Sequence, residues 1–127
     1  MPVKNWSDDI LLVELSDDPI FTEEILAAFD RLEADPAQDV VLSLQAVNFI
    51  NSSNLAKLLK LRRMILQSGR RLRLCTISSH AWGVFLATGL DKIFDFADDV
   101  STALTSLQID RQPSPEGQGG QTPASDE

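Results

Sequence analysis

The sequence predicts an α/β fold, a mostly parallel sheet of four to five strands with about four helices packed against it. Three observations predict it. Short apolar runs alternate with segments of helical periodicity four times along the chain. The connections are short and rich in Pro, Gly, Asp and Ser, so each helix returns the chain to begin another strand in the same direction. With 127 residues, 43% of them hydrophobic, the chain is long enough for one core and not for two.

Residues 10–15 form the first apolar run and end in the turn cluster Ser16-Asp17-Asp18-Pro19, the pattern of a strand. Thr22 then precedes Glu23 and Glu24, and Ile25, Leu26, Phe29 and Leu32 recur at helical spacing. Thr22 suits the N-cap, the two acids suit the positive end of the helix dipole, and Asp35-Pro36 suits the stop. Residues 40–44 are a second strand. The helix after Ser53 places Leu55, Leu58, Leu59, Leu61, Ile65 and Leu66 on one broad side, and Lys57, Lys60, Arg63 and Gln67 on the other. Arg62 falls on the apolar side and has to snorkel, and Gly69 is the expected stop.

Residues 71–77 alternate into a third strand. Ser78 or Ser79 caps a short helix closed by Gly89, residues 93–96 make a last short strand, and Asp98 or Ser101 opens a final helix. The domain so defined spans residues 1–109. Residues 110–127 hold no large apolar side chain, cannot offset their ordering entropy, and are expected to be a disordered acidic and polar tail.

Composition excludes several function classes. A net charge of −8 argues against nonspecific binding to nucleic acid or anionic lipid. The two longest uncharged runs are interrupted by polar residues and do not read as membrane spans, and the first residues lack the apolar region of a signal peptide. The lone Cys75 sits in an apolar strand and reads as a buried reduced thiol, so a cytoplasmic protein is expected. One Cys and one His (His80) cannot build a transition-metal site. No Gly-x-Ser-x-Gly elbow surrounds Ser52 or Ser53, and no Gly-rich phosphate loop follows a strand. Asp17-Asp18 and Asp98-Asp99 read as acids favouring a following helix N-terminus. No enzyme, metal or cofactor is expected.

Residues 40–90 contain no Asp or Glu, although the chain holds 19. Lys57, Lys60, Arg62, Arg63, Arg70, Arg71 and Arg73 all fall in that stretch, which predicts a basic side and an acidic side. Near its start, between an apolar run and a helix, sits Asn51-Ser52-Ser53-Asn54. Any of the first three residues suits an N-cap; a hydroxyl pair among cations also suits a phosphate acceptor.

The run from Val40 to Leu55, with Phe49-Ile50-Asn51-Ser52-Ser53-Asn54-Leu55 at its end, resembles the hallmark segment of STAS domains, the family of bacterial anti-sigma factor antagonists. The resemblance continues through Gly69-Arg70-Arg71-Leu72-Arg73-Leu74 and Leu86-Ala87-Thr88-Gly89-Leu90, and covers roughly residues 8–108. It implies a single STAS-like domain whose partner is an anti-sigma factor that is also a serine/threonine kinase. It further implies phosphorylation of Ser53, with Ser52 second. The expected docking surface is Asn51, Ser52, Ser53 and Asn54 with the exposed side of the following helix, Ala56, Lys57, Lys60 and Arg63. Asn51 stands where the family has Asp, Asn54 where it has Gly, and Ser43 where an Asp commonly ends the strand. Two alternatives stay open: a non-switching adaptor in a stressosome-like or lipid-transport assembly, and a binder of a nucleotide or other small anion at the helix N-terminus.

Overall fold

The computed structural model describes residues 3–7 and 9–111. The elements run β1 (Val3–Ser7), β2 (Ile10–Ser16), α1 (Ile20–Ala34), β3 (Asp39–Ala46), α2 (Ser52–Gln67), β4 (Leu72–Cys75), α3 (Ser79–Thr88), a 3₁₀ turn (Leu90–Lys92), β5 (Phe96–Ala97) and α4 (Val100–Arg111). They build one sheet in the order β1-β2-β3-β4-β5, with β2 to β5 parallel and β1 antiparallel on the edge. Each parallel strand is laid beside the one before it, always in the same sense. Right-handed crossovers therefore put α1, α2 and α3 on one face.

Side-chain alternation follows from that layering. Leu11, Val13 and Leu15 of β2, Val40, Leu42 and Leu44 of β3, and Leu72 and Leu74 of β4 join Phe21, Ile25, Leu58, Leu61 and Phe85 of the helices in the main core. The alternate residues Ile10, Leu12, Val41 and Cys75 face the other way and are covered by Ala103, Leu104 and Leu107 of α4. Burial on both faces explains why these strands read as nearly continuous apolar runs. Cys75 is buried as expected, and desolvation pushes its thiol up from the usual range.

Several expected boundaries move, each for a local reason. α1 begins at Ile20, so Thr22 lies inside it; the N-cap position is Pro19, and the first-turn donors of Thr22 are met by the Asp18 carboxylate one residue earlier, which accepts from the Thr22 N–H at 3.1 Å and the Thr22 hydroxyl at 2.8 Å. The third strand ends at Cys75, because Thr76 turns the chain with a φ of +58°, a conformation that a β-branched residue rarely adopts. The last strand starts at Phe96, later than expected. Ile93 and Phe94 continue the 3₁₀ turn by donating to the Leu90 carbonyl, and the Phe94 ring is buried edge-on against Phe85. α4 is capped by neither Asp98 nor Ser101: Asp99 accepts from the Thr102 N–H at 2.7 Å. Strand β1 was not expected at all. The tail over residues 112–127, expected to be disordered, lies outside the described residues.

The expected basic side is formed only in part. Arg70 reaches the buried Asp39 at 3.2 Å, Arg71 donates to the Leu107 carbonyl, and Arg73 pairs with Asp95 at 3.3 Å. These three cations fasten strand ends and α4. Of the seven cations, Lys60 and Arg63 of α2 are exposed, and they line a groove with Asp30 and Glu33 of α1.

The α2 packing makes a clean test of the core. Leu58 is fully buried, whereas its neighbour Leu59 is 36% exposed. Urea denaturation should show Leu58→Ala losing about 2–5 kcal/mol and Leu59→Ala less than about 1 kcal/mol. Equal losses would mean that α2 is rotated from the face described.

Candidate functional site

The site lies at the C-terminal ends of β2, β3 and β4, where open parallel sheets present their loops. Three loops meet there and are tied by side chains. Asp17, just after β2, accepts from the backbone N–H groups of Asn48 at 2.8 Å and Phe49 at 3.0 Å, and from the Asn48 amide at 3.2 Å. Ser78, before α3, donates its hydroxyl to the Val47 carbonyl at 3.0 Å while accepting from the Ala81 N–H as N-cap. The β3–α2 loop is thus held from both neighbours.

Asn51 is the N-cap of α2, one of the expected options. Its side-chain oxygen accepts from the Asn54 N–H at 2.9 Å, and the Asn54 side-chain oxygen accepts from the Asn51 N–H at 3.0 Å. This reciprocal capping box satisfies two otherwise orphaned donors. The Asn54 amide then donates to Asp18 at 2.9 Å, joining the start of α2 to the start of α1. Asn54 is consequently only 2% exposed. The expectation that its side chain meets a partner is corrected: the amide is turned inward because it serves two polar groups there, the Asn51 N–H and the Asp18 carboxylate. Ser43 is likewise buried, within β3.

With Asn51 and Asn54 holding the turn, Ser52 and Ser53 occupy the first two helical positions and both are exposed. Their N–H groups are among those that an α-helix leaves without an internal carbonyl partner. Lys57, one turn on, brings its Nζ to 2.7 Å from the Ser53 Oγ. Ala56 is exposed on the same side. Lys60 and Arg63 are exposed as expected, but further along α2, where they face Asp30 and Glu33 of α1 across a groove. One residue of this surface escaped sequence reasoning. Phe49 is 70% exposed beside the serines, its ring edge-on to His80 at 5.6 Å. The available signal was a large apolar residue just before the serines, outside the expected strand over residues 40–44, which was noted as a flank of the junction and not as part of the surface.

The chain belongs to the STAS domain family, whose model matches residues 3–103. It is 28% identical over 80 residues to an anti-sigma F factor antagonist of Paenibacillus polymyxa, an overlap of 63% of this chain and 68% of that protein. Its fold matches a candidate anti-sigma factor antagonist of Thermotoga maritima with a TM-score of 0.73 at 22% identity, covering 84% of this chain and 93% of the other. It also matches the Bacillus cell fate determinant SpoIIAA in its phosphorylated form, with a TM-score of 0.64 at 18% identity, covering 83% and 96%. The architecture is that of a STAS domain. Among the described residues no helix is long and apolar enough to cross a membrane.

The carboxylates report the tether. The Phe49 N–H is the main influence holding Asp17 below the usual 3.8, and the Asn54 amide the main one for Asp18. A depressed folded pKa stabilises fully above the ordinary value and is lost as pH falls through the folded one. Unfolding free energy should therefore drop as pH falls below about 4. Asn54→Ala should destabilise by about 1–2 kcal/mol at neutral pH and make that acid limb shallower. A limb of unchanged steepness in the variant would contradict the Asn54–Asp18 link.

Proposed function

We propose that this chain is a regulatory module of the anti-sigma factor antagonist type, acting by binding and without a reaction of its own. Its partner is a protein kinase that doubles as an anti-sigma factor, and Ser53 is the group the partner modifies. The observation that carries this reading is the exposed Ser53 hydroxyl at the first turn of α2, with Lys57 2.7 Å away. The reading also draws on the relative from Paenibacillus polymyxa, an anti-sigma F factor antagonist.

The switch follows from electrostatics. Phosphorylation adds about −1.5 to −2 charge at pH 7. On the free domain that charge is favoured by the α2 N-terminus and by Lys57. Against a docked partner its remaining charge, of which Lys57 offsets only part, must be desolvated with no further cation supplied, which is costly, so the partner leaves. The turn itself is held by Asn51, Asn54 and Asp18, so the phosphate changes the surface without unfolding it.

The contact centres on Phe49, Asn51, Ser52, Ser53, Ala56 and Lys57, with Lys60 and Arg63 at its margin. Phe49 is the aromatic anchor, a large apolar surface next to the switch. Ala56 lets a partner helix approach closely, and Lys57 steers an acidic surface towards the loop.

A pull-down with wild type, Ser53→Ala and Ser53→Asp, read by mass spectrometry for partner and phosphosite, tests the switch. Capture by the first two and loss with the third is expected. Equal capture by all three would favour the non-switching adaptor. Phe49→Ala should weaken partner binding at least about tenfold, a loss above about 1.4 kcal/mol. Unchanged affinity in a titration of the purified pair would remove Phe49 from the interface.

A further inference from the structure

A second surface lies on the outer side of α1 and α2, beyond the serine loop. The two helices flank a groove of about 640 Å³ whose floor is Leu26, Phe29 and Met64. Leu26 is 53% exposed. One wall carries Asp30 and Glu33 from α1, and the other carries Lys60 and Arg63 from α2. Each wall is a one-sided stripe at helical spacing. Of these four side chains, Lys60 sets its Nζ over the Phe29 ring, 5.6 Å from its centroid. No ion pair joins the walls among the described residues. The Lys60–Phe29 contact also sets the two walls level, position 60 with positions 29 and 30.

We propose that this groove is an interface between two copies of the chain. Both helices follow parallel strands, so they run in the same sense. A two-fold axis laid along the groove, just above it, turns α1 of one copy over α2 of the other without changing height. Asp30 and Glu33 of each copy then meet Lys60 and Arg63 of the other, twice, while the two apolar floors close against each other. Such self-complementarity is what an isologous interface requires. A partner segment of one charge would be attracted by one wall and repelled by the other, so the opposed rows favour a second copy. The inference goes beyond the partner reading. It gives Lys60 and Arg63 a use of their own, and self-association would cover the margin of the kinase surface.

Sedimentation of the full chain at low ionic strength, from micromolar to submillimolar concentration, tests it with charge reversals. Wild type should shift towards the mass of two chains, and added salt should reverse the shift. Asp30→Lys with Glu33→Lys makes both walls basic, and Lys60→Glu with Arg63→Glu makes both acidic. Each double variant should dissociate at least about tenfold more readily than wild type. Mixed in equal amounts, the two variants should associate again. A wild type that stays monomeric throughout overturns the proposal, as does a variant that associates like wild type or a folded pair that fails to associate on mixing. If a reversal variant fails to melt like wild type, Asp30→Asn with Glu33→Gln replaces it, and unweakened association overturns the proposal. Kinase capture by the Asp30→Lys, Glu33→Lys variant reads the partner surface separately, so either reading can fail alone.

Discussion

The side chain of Asn54 joins everything that makes the serine loop usable. Its oxygen closes the capping box with Asn51, and its amide reaches Asp18 at the start of α1. Through Asp17, the residue beside Asp18, the same corner fixes the backbone of Asn48 and Phe49. A buried amide with its groups satisfied is worth more for position than for energy: losing one partner strands the others in a poorly solvated place. Because these bonds face inward and hold the backbone, Ser52, Ser53 and Phe49 can face outward.

This division of labour explains how a neutral loop can stand where the family carries a carboxylate and a glycine. Asn51 supplies the capping oxygen that an aspartate would, without its charge. Asn54 adds a side chain where glycine has none, and the added atoms are used to anchor the loop to Asp18. The charge that attends Ser53 is then mainly that of Lys57. Exposure of the hydroxyl and rigidity of the turn are therefore set by different residues, which allows one to be modified without disturbing the other.

Much of the fold was legible because burial imposes periodicity. The runs at 10–15 and 40–44, Leu55, Leu58 and Leu61 of α2, Gly69 and Gly89 at helix ends, and Ser78 as a cap all carry local signals that packing then reinforces, whereas Leu59 and Leu66, expected on the same apolar side, are exposed. What was not legible depends on long-range partners. β1 gains its ladder from β2, which local sequence does not announce. Phe94 leaves the expected strand to pack on Phe85, and Thr22, expected as the cap of α1, instead donates to Asp18. In the site, the serines and Lys57 could be named from spacing. The inward turn of Asn54 could not, since it answers an aspartate 36 positions earlier. The charge pattern misled for a similar reason: Arg70, Arg71 and Arg73 find partners across the sheet and leave the surface to α2.

Amide hydrogen exchange at single-residue resolution tests the tether most directly. The N–H groups of Asn48, Phe49, Asn51 and Asn54 are bonded to side chains and not to a backbone ladder. All four should be protected in the wild type. Asn54→Ala should release Asn51 while leaving the β3 amides protected, and Asp17→Asn should loosen Asn48 and Phe49. Exchange of these four amides in the wild type at the rate of an unstructured peptide would contradict the account.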